Sequence, residues 1–211
     1  STAAVYGDLA GGECSEVSPT VPINPYGRTK LMTEWMLEDV SLANGDDFNF
    51  IALRYFNVAG ANVEGKIGQS GPNSTHLLKI ASETACGKRK EMSVFGTDYD
   101  TKDGTCIRDY IHIDDLAAAH IDGLKYLLNG GQSEIMNCGY GHGFTVKEVI
   151  AALKKVTGID FKVKETTRRD GDAAILKSKA DKIKKILGWT PKYDDLELIA
   201  KTAYDWEKSL K

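Results

Sequence analysis

"FNFIALRYFNVAG", residues 48–60, is a run of aromatic and β-branched side chains that reads as a buried strand. Just upstream, from Tyr26 to about Ala43, the apolar residues Leu31, Met32, Trp35, Met36 and Leu37 recur at helical spacing. A loop rich in Gly, Ser, Thr and Pro, Gly11 to Pro25, precedes that helix. Before the loop, "AAVYG" is short, apolar and closed by Gly7, which suits the end of a buried strand.

The same alternation continues downstream. A Gly-rich loop, Asn62 to Ser74, leads to a helix over Leu77 to Cys86. "MSVFG" and "CIRDYIHI" read as strands separated by the polar loop "TDYDTKDGT". At "DDLAAAHIDGLKYLL" the period turns helical, with Asp114 or Asp115 as the expected cap. "EIMNCG" is a further short strand. "TVKEVIAALKKVTG" has Thr145 and Glu148 at capping-box spacing and ends at Gly158. "DFKVKET" reads as a strand, "SKADKIKKILG" as a helix and "DLELIAKTAYDWEKSL" as a final amphipathic helix. Strands alternating with helices predict an α/β fold with at least partly parallel pairing.

With 211 residues, 42% hydrophobic and 27% charged, the chain can build one sizeable core or two small ones. A net charge of -3 gives no support to a nucleic-acid or membrane partner, either of which favours a basic face. No apolar run approaches the ~18 residues of a membrane span, and no signal peptide is visible, so a cytoplasmic protein is expected. Cys14, Cys86, Cys106 and Cys138 are widely spaced with no C-x-x-C pair; they are expected to be reduced thiols, with no metal site.

"NPYGRTK", residues 24–30, sets Tyr26 and Lys30 one helical turn apart. An isolated phenol is a poor base at neutral pH, and a cation one turn away favours the phenolate, which can take a proton from a sugar hydroxyl. By itself that spacing usually marks a solvated helix face. His112, in a strand, and His120, on the inner face expected for its helix, are assigned structural roles. "CGYGHG" lacks the third glycine and the downstream acid of a dinucleotide loop, and is read as a strand-to-helix turn.

"STAAVYG", "NPYGRTK", "RYFN", "GTCIRDYIHIDDLA" and "RRDGD" occur in the order and spacing of the extended short-chain dehydrogenase/reductase family. Within that family the chain resembles the UDP-glucose 4-epimerases, and "FGTDYDTKDGTCIRDYIHIDDLAAAH" is the most specific stretch. The resemblance implies interconversion of UDP-glucose and UDP-galactose through a 4-keto sugar, with a tightly held NAD, in a homodimer. It implies that Tyr26 is the base, that Lys30 assists it and holds the nicotinamide ribose, and that Thr2 hydrogen-bonds the reacting hydroxyl. Phe56 falls where the nicotinamide pocket is lined. Arg108 and Arg169 match phosphate-binding positions, Asp172 the uridine ribose, and Asn57 a donor to sugar or phosphate. Ser93, Val94 and Phe95 match the uracil frame, and Thr75 and His76 a uridine-side segment that is often Asn-Leu. A residue near Leu176 governs pocket volume; leucine, intermediate in size, leans towards the plain hexoses over N-acetylated ones.

The resemblance also places the family's glycine-rich phosphate loop upstream of "STAAVYG". The chain is therefore expected to be the C-terminal portion of an epimerase, inactive alone. Residues 1–57 would be the remainder of an NAD-binding Rossmann sheet, and 58–211 a UDP-sugar-binding domain whose segment 107–128 packs back on the first. The rivals are a related nucleotide-sugar dehydratase, decarboxylase or epimerase, and an inactive UDP-binding remnant. The dehydratases carry an Asp-Glu pair after the first Thr, where this chain has Ala3 and Ala4.

Overall fold

In the computed structural model, which describes residues 1–71 and 73–210, the chain begins with a 3-10 turn over Ala3–Val5. Then follow β1 (Glu13–Cys14), α1 (Pro25–Asn44), β2 (Ile51–Tyr55), β3 (Asn57–Ala59) and α2 (Leu77–Ala85). The middle of the chain supplies β4 (Met92–Phe95), β5 (Ile107–Arg108), β6 (Tyr110–His112), α3 (Ile113–Leu128) and β7 (Glu134–Cys138). The remainder is β8 (Phe144–Thr145), α4 (Val146–Thr157), β9 (Val163–Thr166), β10 (Ile175–Ser178), α5 (Asp181–Leu187) and α6 (Leu196–Ser209). Pro72, inside the predicted loop 62–74, and Lys211, the end of the second expected domain, lie outside the described residues.

The α/β class holds: β2 pairs with β7, β3 with β6, β4 with β9, and β10 with both β1 and β5, all in parallel. The β5–β8 pairing is antiparallel. The central residues of β2 are buried on both faces, as a parallel strand covered by helices requires. The larger core gathers Leu53, Met136, Val149, Leu153, Ile199 and Trp189, among others. A smaller core joins Ala3, Val5, Tyr6, Cys14, Leu31 and Phe56.

Local signals are met where they are self-contained. Thr145 and Glu148 close a full capping box on α4, and Gly158 ends that helix at φ +69°. Several expectations need correction. "AAVYG" is not a strand end; only Thr2 bridges to Tyr55, and the chain then tightens into the 3-10 turn. The predicted loop 11–25 contains β1, held by β10, a strand the local pattern does not announce. The run 48–60 breaks at Phe56, because β2 and β3 hydrogen-bond to different partners.

"CIRDYIHI" breaks at Asp109, whose buried carboxylate accepts from the backbone of Tyr140, Gly141 and Ser178 and from the Ser178 hydroxyl. The cap of α3 is His112, whose Nδ1 accepts from the Asp114 N–H at 3.1 Å, in place of Asp114 or Asp115. His112 is buried, and burial pushes its pKa down, so the neutral ring serves as acceptor. His120 is exposed, not on the inner face; its ring bonds the Leu116 carbonyl. Of the apolar residues that mark α1, Leu31 is buried while Met32, Trp35 and Met36 are exposed. The four cysteines are unbridged thiols.

Candidate active site

The carboxyl ends of parallel strands are where open α/β sheets bind ligands, and the end of β2 opens onto a cavity of about 170 Å³. Tyr55, Phe56 and Asn57 line one side, and Thr2, Ala3, Ala4 and Asn24 another. Arg108, Asp172, Ala173 and Leu176 close the third. Six of the sequence-predicted residues, Thr2, Phe56, Asn57, Arg108, Asp172 and Leu176, thus meet at one place. Thr2 is buried, and its Oγ1 accepts from the Ala4 N–H at 3.2 Å. Leu176 stands opposite Arg108 in the β10–β5 register.

Helix α1 delivers the next pair. Asn24 caps it, its Oδ1 accepting from the Gly27 N–H at 2.8 Å, with Pro25 at the first helical position. Gly27 is needed by close approach: a Cβ there would lie 2.4 Å from the Ala4 carbonyl oxygen. The first turn of α1 is thereby pressed onto the Thr2–Tyr6 turn, and Tyr26 follows directly from the cavity wall at Asn24. Tyr26 is 52% exposed, and Lys30 Nζ lies 5.8 Å from the centroid of its ring. Tyr55 is close enough that burial first, and Tyr26 as well, push its pKa up.

The guanidinium groups of Arg108 and Arg169 converge on one carboxylate. Arg169 Nε bonds Asp172 Oδ2 at 3.1 Å, and Arg108 Nη2 lies 3.9 Å from Asp172 Oδ1. Arg108 is further fixed by donation to the Ile107 carbonyl at 2.9 Å. Two guanidiniums facing one anion form a corner suited to phosphate oxygens. The Arg169 guanidinium also stacks 4.5 Å from the centroid of the Phe95 ring.

The other predicted residues lie outside the cavity wall. Ser93, Val94 and Phe95 belong to β4, where Val94 is core and Phe95 partly exposed. Thr75 is exposed, and His76 sits at the N-cap of α2 with its ring bonded to the side-chain amide of Gln69. Gly65, Gly68 and Gly71 have G-x-x-G-x-x-G spacing, but their loop precedes a helix that starts only at Leu77. A Cβ on Gly68 would fall 2.4 Å from the Trp206 ring, so that glycine serves packing.

Sequence reasoning passed over Tyr55, which sits inside the quoted "RYFN", and the pair Glu34–Arg54. Glu34 stands one turn beyond Lys30 and two beyond Tyr26, a spacing that was readable; its partner on β2 was not. Arg54 Nη2 meets Glu34 Oε2 at 2.6 Å and Arg54 Nε meets Oε1 at 3.0 Å, both side chains being buried. Arg54 Nη1 donates to the Tyr6 hydroxyl at 3.0 Å, which donates to Asn137 Oδ1 at 2.7 Å. Burial pushes the Tyr6 phenol up to about 12, so it stays protonated as that donor. Among the described residues no helix is long and apolar enough to cross a membrane, and no His, Cys, Asp and Glu cluster is placed to hold a metal ion.

The model of the family described as GDP-mannose 4,6 dehydratase matches residues 1–202. A UDP-glucose 4-epimerase of Azospirillum brasilense is 51% identical over 210 residues, covering 100% of this chain and 60% of the relative. The solved UDP-Glc/GlcNAc 4-epimerase from Campylobacter jejuni is 56% identical with a TM-score of 0.80, over 99% of this chain and 63% of that one. The UDP-glucose 4-epimerase from Bifidobacterium longum, solved with NAD+ and UDP, is 36% identical with a TM-score of 0.93, over 100% of this chain and 62% of that one. The chain spans about 60% of the length of the relatives it matches.

Proposed function

The chain belongs to the GDP-mannose 4,6 dehydratase family of extended short-chain dehydrogenase/reductases, and on that premise we propose that the whole protein is a UDP-glucose 4-epimerase. The observation that carries this reading is the meeting of Thr2, Asn57, Arg108, Asp172 and Leu176 around one cavity, with Tyr26 and Lys30 on the adjoining helical turn. The family's dehydratase name does not extend to the chemistry here. Eliminating water calls for an acid and a base beside the sugar, and Ala3 and Ala4, which line the cavity next to Thr2, offer neither.

Tyr26 takes the proton from the 4-hydroxyl of the sugar and returns it after the ring has turned over. Thr2 Oγ hydrogen-bonds the same hydroxyl, and Lys30 supplies the positive charge that favours the phenolate. Lys30 also suits the ribose of a nicotinamide: among the described residues no carboxylate lies within 4.0 Å of its Nζ, so its N–H groups are free for a ligand. Phe56 would line the nicotinamide side of the cavity. When bound, NAD accepts and returns the hydride. The UDP diphosphate displaces Asp172 as the partner of Arg108 and Arg169, and the released carboxylate accepts from the uridine ribose. Asn57 donates to the sugar or phosphate, while Ser93, Val94 and Phe95 frame the uracil, with Thr75 and His76 on the uridine side.

Residues 1–57 act in this reading as part of the NAD-binding domain and 58–211 as the sugar-nucleotide domain. The protein is cytoplasmic and a homodimer. Support for the dimer is the exposed stripe Met32, Trp35, Met36 and Val40 on α1; a monomer by sedimentation would refute it. The 211 residues alone, about 60% of the length of the relatives they match, are expected to be inactive. Stoichiometric NAD in the purified chain would contradict that.

Nuclear magnetic resonance of the anomeric protons tests the activity. The whole protein should convert UDP-glucose and UDP-galactose into each other; a 4-keto-6-deoxy product, or no conversion, refutes the proposal.

A further inference from the structure

Tyr26, Lys30 and Glu34 occupy successive turns of one face of α1, so Glu34 stands only about 6 Å along the axis from Lys30. Lysine and glutamate four apart on a helix ordinarily attract each other. Here they do not pair. Both Glu34 oxygens are taken by Arg54, and Oε1 also accepts from the Ser1 hydroxyl. Lys30 is left over the Tyr26 ring with no carboxylate within 4.0 Å among the described residues. Arg54 itself cannot swing away, being held from the other side by Tyr6 and, through it, Asn137.

We propose that Arg54 is a positioning residue for the reaction: by saturating Glu34 it prevents that carboxylate from capturing Lys30, and so keeps the ammonium directed at Tyr26. This rests on the reading of Tyr26 as the base. Without the guanidinium, Lys30 is the cationic side chain one turn away on the same helix, and a buried Glu34 carboxylate left unpaired is costly enough to recruit it, in competition with the amino group of Ser1. The titratable groups around this cluster are Tyr26, Lys30 and Glu34 on α1, Arg54 and Tyr55 on β2, Ser1 and Tyr6 from the first turn, and Cys14 and Glu16 beside Tyr6.

The test uses the whole protein carrying this chain, with the variants Arg54→Met, Glu34→Gln and the two combined. Reductive methylation of Lys30, followed by mass spectrometry, reports the freedom of the ammonium and needs no turnover. Arg54→Met should slow labelling of Lys30 about fivefold, and adding Glu34→Gln should restore it. Epimerisation is measured in the same set: kcat should fall about ten- to a hundredfold in Arg54→Met, with KM little changed, and return to within about threefold in the double variant. Glu34→Gln alone should keep labelling and kcat near the parent values, which keeps the proposal testable if Arg54→Met does not fold. A network that only stabilises the fold also predicts recovery in the double variant, because Glu34→Gln removes the unpaired buried charge, but it predicts unchanged labelling of Lys30 in folded Arg54→Met. Unchanged labelling in Arg54→Met, failure of the double variant to recover, or collapse of kcat in Glu34→Gln each overturns the assignment. A parent protein without epimerase activity would refute the proposed function instead, and the labelling would still decide this one.

Discussion

Replacing Gly27 by alanine probes the contact that sets α1 against the Thr2 turn. In a helix interior the exchange ordinarily gains about 1 kcal/mol, because alanine loses less backbone entropy. At Gly27 the new methyl would stand 2.4 Å from the Ala4 carbonyl oxygen and 2.9 Å from Pro22 Cβ, where ordinary contact begins at 3.4 Å. The first turn of α1 must therefore retreat by about 1 Å, against backbone and not against a flexible side chain. Overpacking of this kind costs about 1–3 kcal/mol, which outweighs the propensity gain in all but the mildest case and leaves a net loss of up to about 2 kcal/mol. The larger effect is on the site, since a displacement of about 1 Å in a reacting group can cost about a hundredfold in rate. Gly123 in α3 is the matched control: a Cβ there meets Ile51 at 3.4 Å and Leu187 at 3.9 Å, ordinary contacts, so Gly123→Ala should stabilise by up to about 1 kcal/mol. Urea unfolding midpoints and kcat on UDP-galactose, measured on the whole protein, read both effects. A Gly27→Ala protein as stable as the parent with full turnover would refute the reasoning.

Tyr26→Phe should lower kcat about a hundred- to ten-thousandfold while leaving UDP affinity unchanged by calorimetry; nearly full turnover would show that another group is the base. Leu176 on the cavity wall leads to faster turnover of UDP-glucose than of UDP-GlcNAc, although a relative from Campylobacter jejuni is described for both sugars; equal rates in a coupled assay would remove the size argument. Glu207 is buried, which pushes its carboxyl up, but Lys79 and Lys88 outweigh burial and hold it below the ordinary 4.5. Its stabilisation is therefore complete above that value and lost as pH falls through the depressed one. Glu207→Gln should cost about 3 kcal/mol at neutral pH, and the gap in urea midpoint to the parent should narrow on acidification; a gap that widens contradicts the sign.

Elements whose signals lie within a turn or two of chain were legible in the sequence. The capping box of α4, the left-handed glycine after it, the helix that carries Tyr26 and Lys30 on one face, and the alternation that makes the protein α/β are all of this kind. Motif order also singled out Thr2, Phe56, Asn57, Arg108, Asp172 and Leu176 among the residues that line the cavity. What the tertiary structure alone decided is pairing across distance. Whether 48–60 is one strand or two depends on β6 and β7, more than fifty residues away, and Glu13–Cys14 is a strand only because β10 lies beside it. The outward face of Met32, Trp35 and Met36 follows from which side of α1 meets the sheet, which the apolar pattern of that helix does not mark. Arg54 reads as a lone charge within a buried strand and Glu34 as one more charge on a helix until the fold brings them together. Periodicity and capping are interactions among near neighbours along the chain; strand order, burial of a charge pair and convergence on a cavity are contacts between distant segments, and no local pattern encodes their partners.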